Sequence, residues 1–336
     1  MTNPTQGAAL RERLAGFPRL ACGFYPTPFE ELPRLRAAIG ANAPRLFIKR
    51  DDYTGAGFGG NKVRKLEYVL AQAQADSAEI VITMGGEKSN HARVTAAMCA
   101  RLGLPCELVM NPPNVRYDGL RPANLVADEL YGATIHRVAN RDERNSLSAE
   151  LAARYTQAGK RVALVPLGAS IPLGALGFVR AIAETKAQLD AAGIQLTHIV
   201  HASSSGGTQA GIVAGCQLVG LNAQVIGVSP DDSAESIATH VAEIIDGIGA
   251  LLESQLDNRV TVRDEFVGAG YGIPSDESTK ALQLVARTEG ILLDPVYTAK
   301  AMAGLLAMIE SGELTACDTV LFWHTGGQLA LFYAPE

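Results

Sequence analysis

The chain reads as an α/β protein of two open, twisted, mostly parallel α/β domains, one inserted into the other. Three observations point there. Short β-rich runs alternate with helical patterns along most of the chain. Several of these runs end in Gly- or Ser-rich loops that open a helix, as at the carboxyl ends of parallel strands. A Gly- and Pro-rich connection, "GASIPLGALGF" at 168–178, parts two groups of such units, and the last strand pattern lies far from the earliest ones.

The elements follow in order. The apolar stretch "RLFIKRDD" (45–52) precedes "GFGGNKVRKLEYVL" (57–70), a Gly-rich turn leading through Lys62 into an amphipathic helix. "EIVITMGG" (79–86) has the continuous apolar run of a buried strand, and "SNHARVTAAMCARLG" is a helix closed by Gly103. "PCELVMN" is a strand, "GLRPANLVADELYG" a helix and "ATIHRVA" a strand; "SLSAELAARYTQAG" and "RVALVPLG" repeat the unit. "THIVHASSSGG" with "TQAGIVAGCQLVG", then "AQVIGVSP", and finally "DTVLFWHTGG" complete the pattern. Strands joined through helices imply right-handed crossovers and parallel pairing. The expected division is a larger domain from 1–65 and 177–336, with 66–176 as a smaller inserted domain.

Composition narrows the function. The 336 residues suffice for two domains, and 47% apolar content supports a sizeable core. With a net charge of −6 and dispersed lysines and arginines, no basic face for nucleic acid is expected. No apolar run approaches the ~18 residues of a membrane span. The opening "MTNPTQGAALRERLAGF" has no apolar core of a secretory signal. The five cysteines are odd in number and form no C-x-x-C pair, so they read as buried small hydrophobes in a reducing compartment. A cytoplasmic, soluble protein is expected. No histidine stands at i, i+4 to another or beside a cysteine, so no metal is expected. G-x-S-x-G is missing, which argues against a serine hydrolase.

Three loops remain as places for chemistry: "GGEKSNH" (85–91), "SSSGGTQAG" (203–211) and "HTGG" (324–327). N–H groups at a helix start favour anions. The second loop is the best phosphate cradle, because its glycines allow close backbone approach and its hydroxyls add donors. It is neither a Walker A loop nor G-x-G-x-x-G. A lysine on a rigid seam, a phosphate cradle and a second anion-friendly helix start together form a pyridoxal phosphate constellation. The aldehyde needs an amine, the phosphate and the substrate carboxylate each need a helix N-terminus, and the ring nitrogen needs a hydroxyl or carboxylate.

The runs "FIKRDDYTGAGFGGNKVRKLEYVLAQA", "GGEKSNHARVTAAM", "SSSGGTQAG", "GYGIP", "GILLDPVYTAKAMAGLL" and "FWHTGGQLALF" resemble the D-cysteine desulfhydrase and 1-aminocyclopropane-1-carboxylate (ACC) deaminase family, from "FPRL" and "PTPFEELPRL" onward. The resemblance implies the tryptophan-synthase-β-like fold of pyridoxal phosphate enzymes (fold type II), with the cofactor between two α/β domains, and a homodimer. It implies Lys62 as the Schiff-base lysine. Asn90 would bond the ring hydroxyl, and Ser89 with Asn90, His91 and Lys88 around it would meet the substrate carboxylate. Ser205, Gly206, Gly207 and Thr208 would hold the phosphate, and Tyr297 and Tyr271 would act beside the substrate.

Two positions separate the branches of that family. Deaminases carry Glu after the "PVY" tyrosine and Leu before the final Gly-Gly. This chain has Thr298 and Thr325, similar to the desulfhydrases. A hydroxyl partner leaves the ring nitrogen largely unprotonated, which suffices for β-elimination with a good leaving group. The resemblance therefore implies a carbon–sulfur lyase acting on a small β-substituted amino acid. An L-cysteate sulfo-lyase, an ACC deaminase and a non-catalytic cofactor-binding protein are the alternatives. The chain departs from the family at Glu87 and Lys88, where an apolar residue and Gln are usual. An ammonium there would strengthen carboxylate binding or meet a second anionic group, unless Glu87 neutralises it and leaves both side chains in solvent.

Overall fold

The computed structural model describes residues 4–115 and 117–335. The strands are β1 (Phe29–Glu31), β2 (Arg45–Arg50), β3 (Ile80–Gly86), β4 (Cys106–Asn111), β5 (Leu120–Pro122), β6 (Thr134–Arg137), β7 (Val162–Leu164), β8 (His198–Ala202), β9 (Gln224–Val228), β10 (Thr261–Arg263), β11 (Thr319–His324) and β12 (Tyr333–Pro335). The helices are α1 (Pro4–Ala15), α2 (Pro33–Ile39), α3 (Asn61–Ala75), α4 (Asn90–Leu102), α5 (Ala123–Leu130), α6 (Glu143–Gln157), α7 (Pro172–Ala192), α8 (Gly207–Val219), α9 (Ala234–Leu251), α10 (Asp276–Glu289) and α11 (Thr298–Glu310).

Two sheets organise the chain. One has the order β1-β2-β11-β8-β9-β10, parallel except for β1; the other is the parallel β6-β4-β3-β7. The central strands show why. β3 is buried along its whole length and β4 along all but its last residue, as parallel strands covered on both faces must be. β11 pairs with β2 on one side and β8 on the other, so the late strand lies beside the early one. The chain passes from β7 through α7 to β8, and α7 begins inside the Gly/Pro-rich connection with a proline at its first position.

Local signals place the helix ends. Ser89 caps α4 by accepting from the Ala92 N–H at 3.2 Å, and Gly103 closes that helix in the left-handed region at φ 68°.

Two expectations are corrected, on the 119–132 segment and on Cys317. α3 lies against α7 and α4, and its Arg64, Lys65 and Glu67 are buried with partners. Arg64 there bonds Asp51 at 2.7 Å and Glu184 at 3.0 Å, and Glu67 accepts from Arg19, Cys22 N and Gly23 N. The segment 119–132 is helical only over α5, because residues 120–122 form an antiparallel ribbon with β12. Four cysteines are buried, but Cys317 is exposed.

Candidate active site

The long-range contact that builds the site is backbone on backbone. The Asn61 N–H donates to the Thr325 carbonyl at 2.9 Å, and a Cβ on Gly326 (φ 87°) would lie 2.6 Å from the Gly60 Cα. Only glycines let the "GGNK" turn and the "HTGG" turn approach this closely. Arg93 fixes the turn from the other side. Its Nε donates to Gly57 O at 2.8 Å, one Nη to Gly59 O at 3.1 Å, and the other Nη to Asn90 Oδ1 and Asn124 Oδ1 at 2.8 and 2.7 Å. Burial without a bonded carboxylate brings the Arg93 pKa down to about 10.

Lys62 stands where two cavities meet. The larger, of about 320 Å³, is walled by Lys62, Ser89, His91, Asn111, Ser205, Tyr271 and Tyr297 among others. The smaller, of about 30 Å³, is walled by Lys62, Asn90, Ser203, Ser205, Gly206, Thr208, Tyr297 and Thr325 among others. Burial lowers the Lys62 pKa to about 8, while a hydrogen bond with Lys65 works the other way. Lys65, one turn along α3, is fully buried beside a second amine, and burial first and Lys62 next hold its pKa well below the ordinary lysine value.

Lys65 leads to the anion-binding loop. Its Nζ donates to Ser170 Oγ at 3.0 Å, and Ser170 shares a 2.7 Å hydrogen bond with Ser205 and accepts from the Gly207 N–H at 3.3 Å. Gly206 takes φ 79°, and a Cβ on Gly207 would come within 2.8 Å of Ser170 Oγ. The unpaired N–H groups of the first turn of α8 open here. Asn61 Nδ2 orients Thr208 through a 3.0 Å hydrogen bond.

The other residues singled out from the sequence fall as follows. Asn90 has its oxygen held by Arg93 and Asn124, and among the described residues its Nδ2 has no acceptor. His91 bonds Thr83 Oγ1 through Nε2 at 2.8 Å, and burial with two lysines nearby keeps the ring neutral. The hydroxyls of Tyr271 and Tyr297 bond each other in an edge-on pair with ring centroids 5.8 Å apart. Burial raises Tyr271 to about 12 and Tyr297 well above its ordinary value, so both keep their protons at neutral pH.

Thr298 and Lys88 do not line either cavity. The Thr298 hydroxyl is closed off by Asp294: it donates to Oδ1 at 2.7 Å and accepts from the Asp294 N–H at 2.7 Å. The same carboxylate accepts from the N–H groups of Val296, Tyr297 and Thr298, which sets the start of α11. The Lys88 ammonium turns away to lie 5.4 Å from the centre of the Tyr333 ring, and Glu87 faces Arg137 at 3.7 Å. Lys65, Ser170, Arg93, Arg144 and Asp294 were not singled out from the sequence. For Lys65 the signal was present, since i and i+3 on a helix share a face with Lys62.

The arrangement fits a phosphorylated aldehyde. It offers an amine with a lowered pKa, an anion cradle beside it and a free amide donor. Ser203 Oγ and His91 Nδ1, buried polar atoms without hydrogen-bond partners among the described residues, belong to residues that wall these two cavities. Residues 21–326 match the pyridoxal-phosphate dependent enzyme family, and the chain belongs to it. Within that family it is similar to D-cysteine desulfhydrase of Yersinia pestis, 40% identical over 332 residues, covering 97% of this chain and 99% of the relative. The solved structure of an ACC deaminase homologue superimposes with a TM-score of 0.88 at 34% identity, covering 96% of each chain. A threonine deaminase from Solanum lycopersicum, at 18% identity and TM-score 0.68 over 97% of this chain and 90% of that one, shares the fold. The fold is thus that of the fold type II pyridoxal phosphate enzymes. None of the described helices is long and apolar enough to cross a membrane.

Proposed function

We propose that this enzyme is a β-eliminating carbon–sulfur lyase of the D-cysteine desulfhydrase kind. It converts a β-substituted amino acid to pyruvate, ammonia and the leaving group, sulfide when the substrate is cysteine. The observation that carries this reading is the Lys62 amine at the junction of an anion cradle and a larger cavity, in a chain 40% identical to a D-cysteine desulfhydrase.

In this reading Lys62 would hold pyridoxal phosphate through Nζ. Ser205, Gly206, Gly207 and Thr208, joined by Ser170 and Lys65, would hold its phosphate. Asn90 Nδ2 would meet the ring hydroxyl and Thr325 the ring nitrogen, while Thr298, its hydroxyl closed off by Asp294, has no direct contact with the ring in this reading. When bound, the cofactor supplies an electron sink for negative charge at the substrate Cα. Ser89 and the first turn of α4 receive the substrate carboxylate, where the helix field favours an anion. Lys62 takes the Cα proton, and its lowered pKa suits a general base near neutral pH. Tyr271 and Tyr297, which wall the same cavity and keep their protons at neutral pH, would donate a proton to the departing group. The division into 1–65 with 177–336 and 66–176 belongs to the same reading, as does a cytoplasmic homodimer, which rests on the likeness to the desulfhydrases and on the free thiols.

The test is a screen of the holoenzyme for 2-oxo acid release from D- and L-cysteine, β-chloroalanine, cysteate and ACC. Pyruvate from a β-substituted alanine is expected far faster than 2-oxobutyrate from ACC. Robust turnover of ACC, or no 2-oxo acid from any of them, overturns the reading.

A further inference from the structure

His91 keeps one ring nitrogen unused in the wall of the larger cavity, and its other hydrogen bond fixes the proton form of that nitrogen. The side chain, at the second position of α4, is 2% exposed. Its Nε2 lies 2.8 Å from Thr83 Oγ1 on β3, and the same hydroxyl lies 2.7 Å from the Val165 carbonyl. A carbonyl has no hydrogen to give, so the single hydroxyl proton goes to Val165. The contact with Thr83 is then made by a proton on Nε2. Burial, with Lys62 and Lys65 adding to it, keeps a second proton off the ring. Nδ1 is therefore a bare acceptor, buried without a hydrogen-bond partner among the described residues. Such an atom has no proton to give the substrate carboxylate, the role that the family resemblance implied for His91. It calls for a donor.

The cations in the cavity wall are Lys62, Arg141 and Arg144, and of these only Lys62 acts on the His91 ring. The other cation that does so, Lys65, donates to Ser170 Oγ at 3.0 Å. Arg144 donates through Nε to the Arg141 carbonyl, and Arg141 faces Asp232 at 3.6 Å. We propose that His91 is a positioning residue for Lys62: its Nδ1 accepts a hydrogen bond from the Lys62 ammonium, the form that this lysine takes once it has removed the Cα proton. The proposal rests on the elimination reading above. The proton passes from Cα to Nζ and stays there, and no covalent bond to the ring forms or breaks. The hydrogen bond has two effects. It holds Nζ at the cavity wall, and it favours the charged product of the proton transfer where burial disfavours an ammonium. A neutral ring is the form suited to this, because an imidazolium beside an ammonium repels it.

Two substitutions separate this role from the bond to Thr83. His91→Gln sets an amide nitrogen near the place of Nε2, so it keeps the Thr83 bond and loses the acceptor. His91→Asn sets an amide oxygen near the place of Nδ1, so it keeps the acceptor and loses Thr83. In holoenzymes turning over β-chloroalanine, His91→Gln is expected to lower kcat about 10- to 100-fold, with KM changed less than about threefold. The isotope effect of deuterium at Cα grows in the same variant, and His91→Asn recovers about tenfold of the loss. The reverse order of the two variants makes the Thr83 bond the whole role of His91 and overturns the proposal, as does a loss carried by KM alone or no loss in either. The second measurement is the 15N spectrum of ring-labelled histidine in the holoenzyme, with the His91 signals assigned by their absence in His91→Gln. Aminooxyacetate, whose amine takes the cofactor's aldehyde and leaves Lys62 free, is added at pH 7, below the Lys62 pKa of about 8. Nδ1 is expected to move from the bare to the hydrogen-bonded position while Nε2 keeps its proton, and the move is missing in Lys62→Ala loaded with the same adduct. A proton on Nδ1 at rest, no move on freeing Lys62, or a move that survives in Lys62→Ala ends the proposal. If no β-substituted alanine yields pyruvate, the elimination reading falls, and the 15N spectrum decides the contact between His91 and Lys62 by itself.

Discussion

The lowered pKa of Lys62 gives a prediction in pH that can be worked through. The neutral amine is the form that attacks an aldehyde. A lysine at its ordinary 10.5 is about 0.03% neutral at pH 7, whereas one at about 8 is roughly 10% neutral, a gain of about 300-fold in reactive amine. The perturbation is pH, applied to cofactor-free protein mixed with pyridoxal phosphate. The assay is the growth of the visible absorption band of the lysine–cofactor adduct in a stopped-flow instrument. The sign follows from the direction of the shift. Burial disfavours the ammonium, so the rate climbs with pH while the amine is still protonated and levels off above about pH 8. Lys65→Met refines the test. Protonated Lys62 donates a hydrogen bond to the Lys65 amine, which holds the Lys62 pKa up, so its loss moves the midpoint lower. Lys62→Ala forms no band. A wild-type rate still climbing towards pH 10.5, or a band that survives in Lys62→Ala, refutes the assignment of the reactive amine.

Two further outcomes test the scaffold. Arg93→Met removes the four hydrogen bonds that tie the 57–59 turn and Asn124 of α5 to α4 and hold the Asn90 oxygen, and stability is expected to fall by about 2–4 kcal/mol in a denaturant titration, with cofactor affinity reduced in parallel. Gly326→Ala places a Cβ 2.6 Å from the Gly60 Cα at φ 87°, so the two turns must part. The expected cost is about 2 kcal/mol or more in unfolding free energy, with a loss of the lysine–cofactor band that a neutral surface change does not produce.

Much of this protein is local in origin. Alternating runs such as "EIVITMGG" and "SNHARVTAAMCARLG" carry their periods and caps within a dozen residues, and β3, Ser89 and Gly103 follow from them. Gly-rich loops after strands mark the ligand-facing edge for the same reason: the end of a parallel strand and the start of the next helix are neighbours in the chain. That is why Lys62, Ser89, Asn90, Ser205 and Thr325 could be picked out before any contact was known. The direction of side chains was not local. Lys88 and Ser89 are adjacent, yet one ammonium packs on Tyr333 and one hydroxyl walls the cavity. Thr298 and Thr325 look alike as residues, but a carboxylate four positions earlier closes off the first and leaves the second to line the cavity. α3 has the pattern of an amphipathic helix, and Asp51, Glu184 and Arg19, brought from elsewhere in the chain, bury its Arg64 and Glu67 in ion pairs. Sequence periodicity determines which faces an element has. Only the packing of elements distant in the chain decides what each face meets, because burial, counter-charges and the approach of Gly60 to Gly326 exist only once both sheets are assembled.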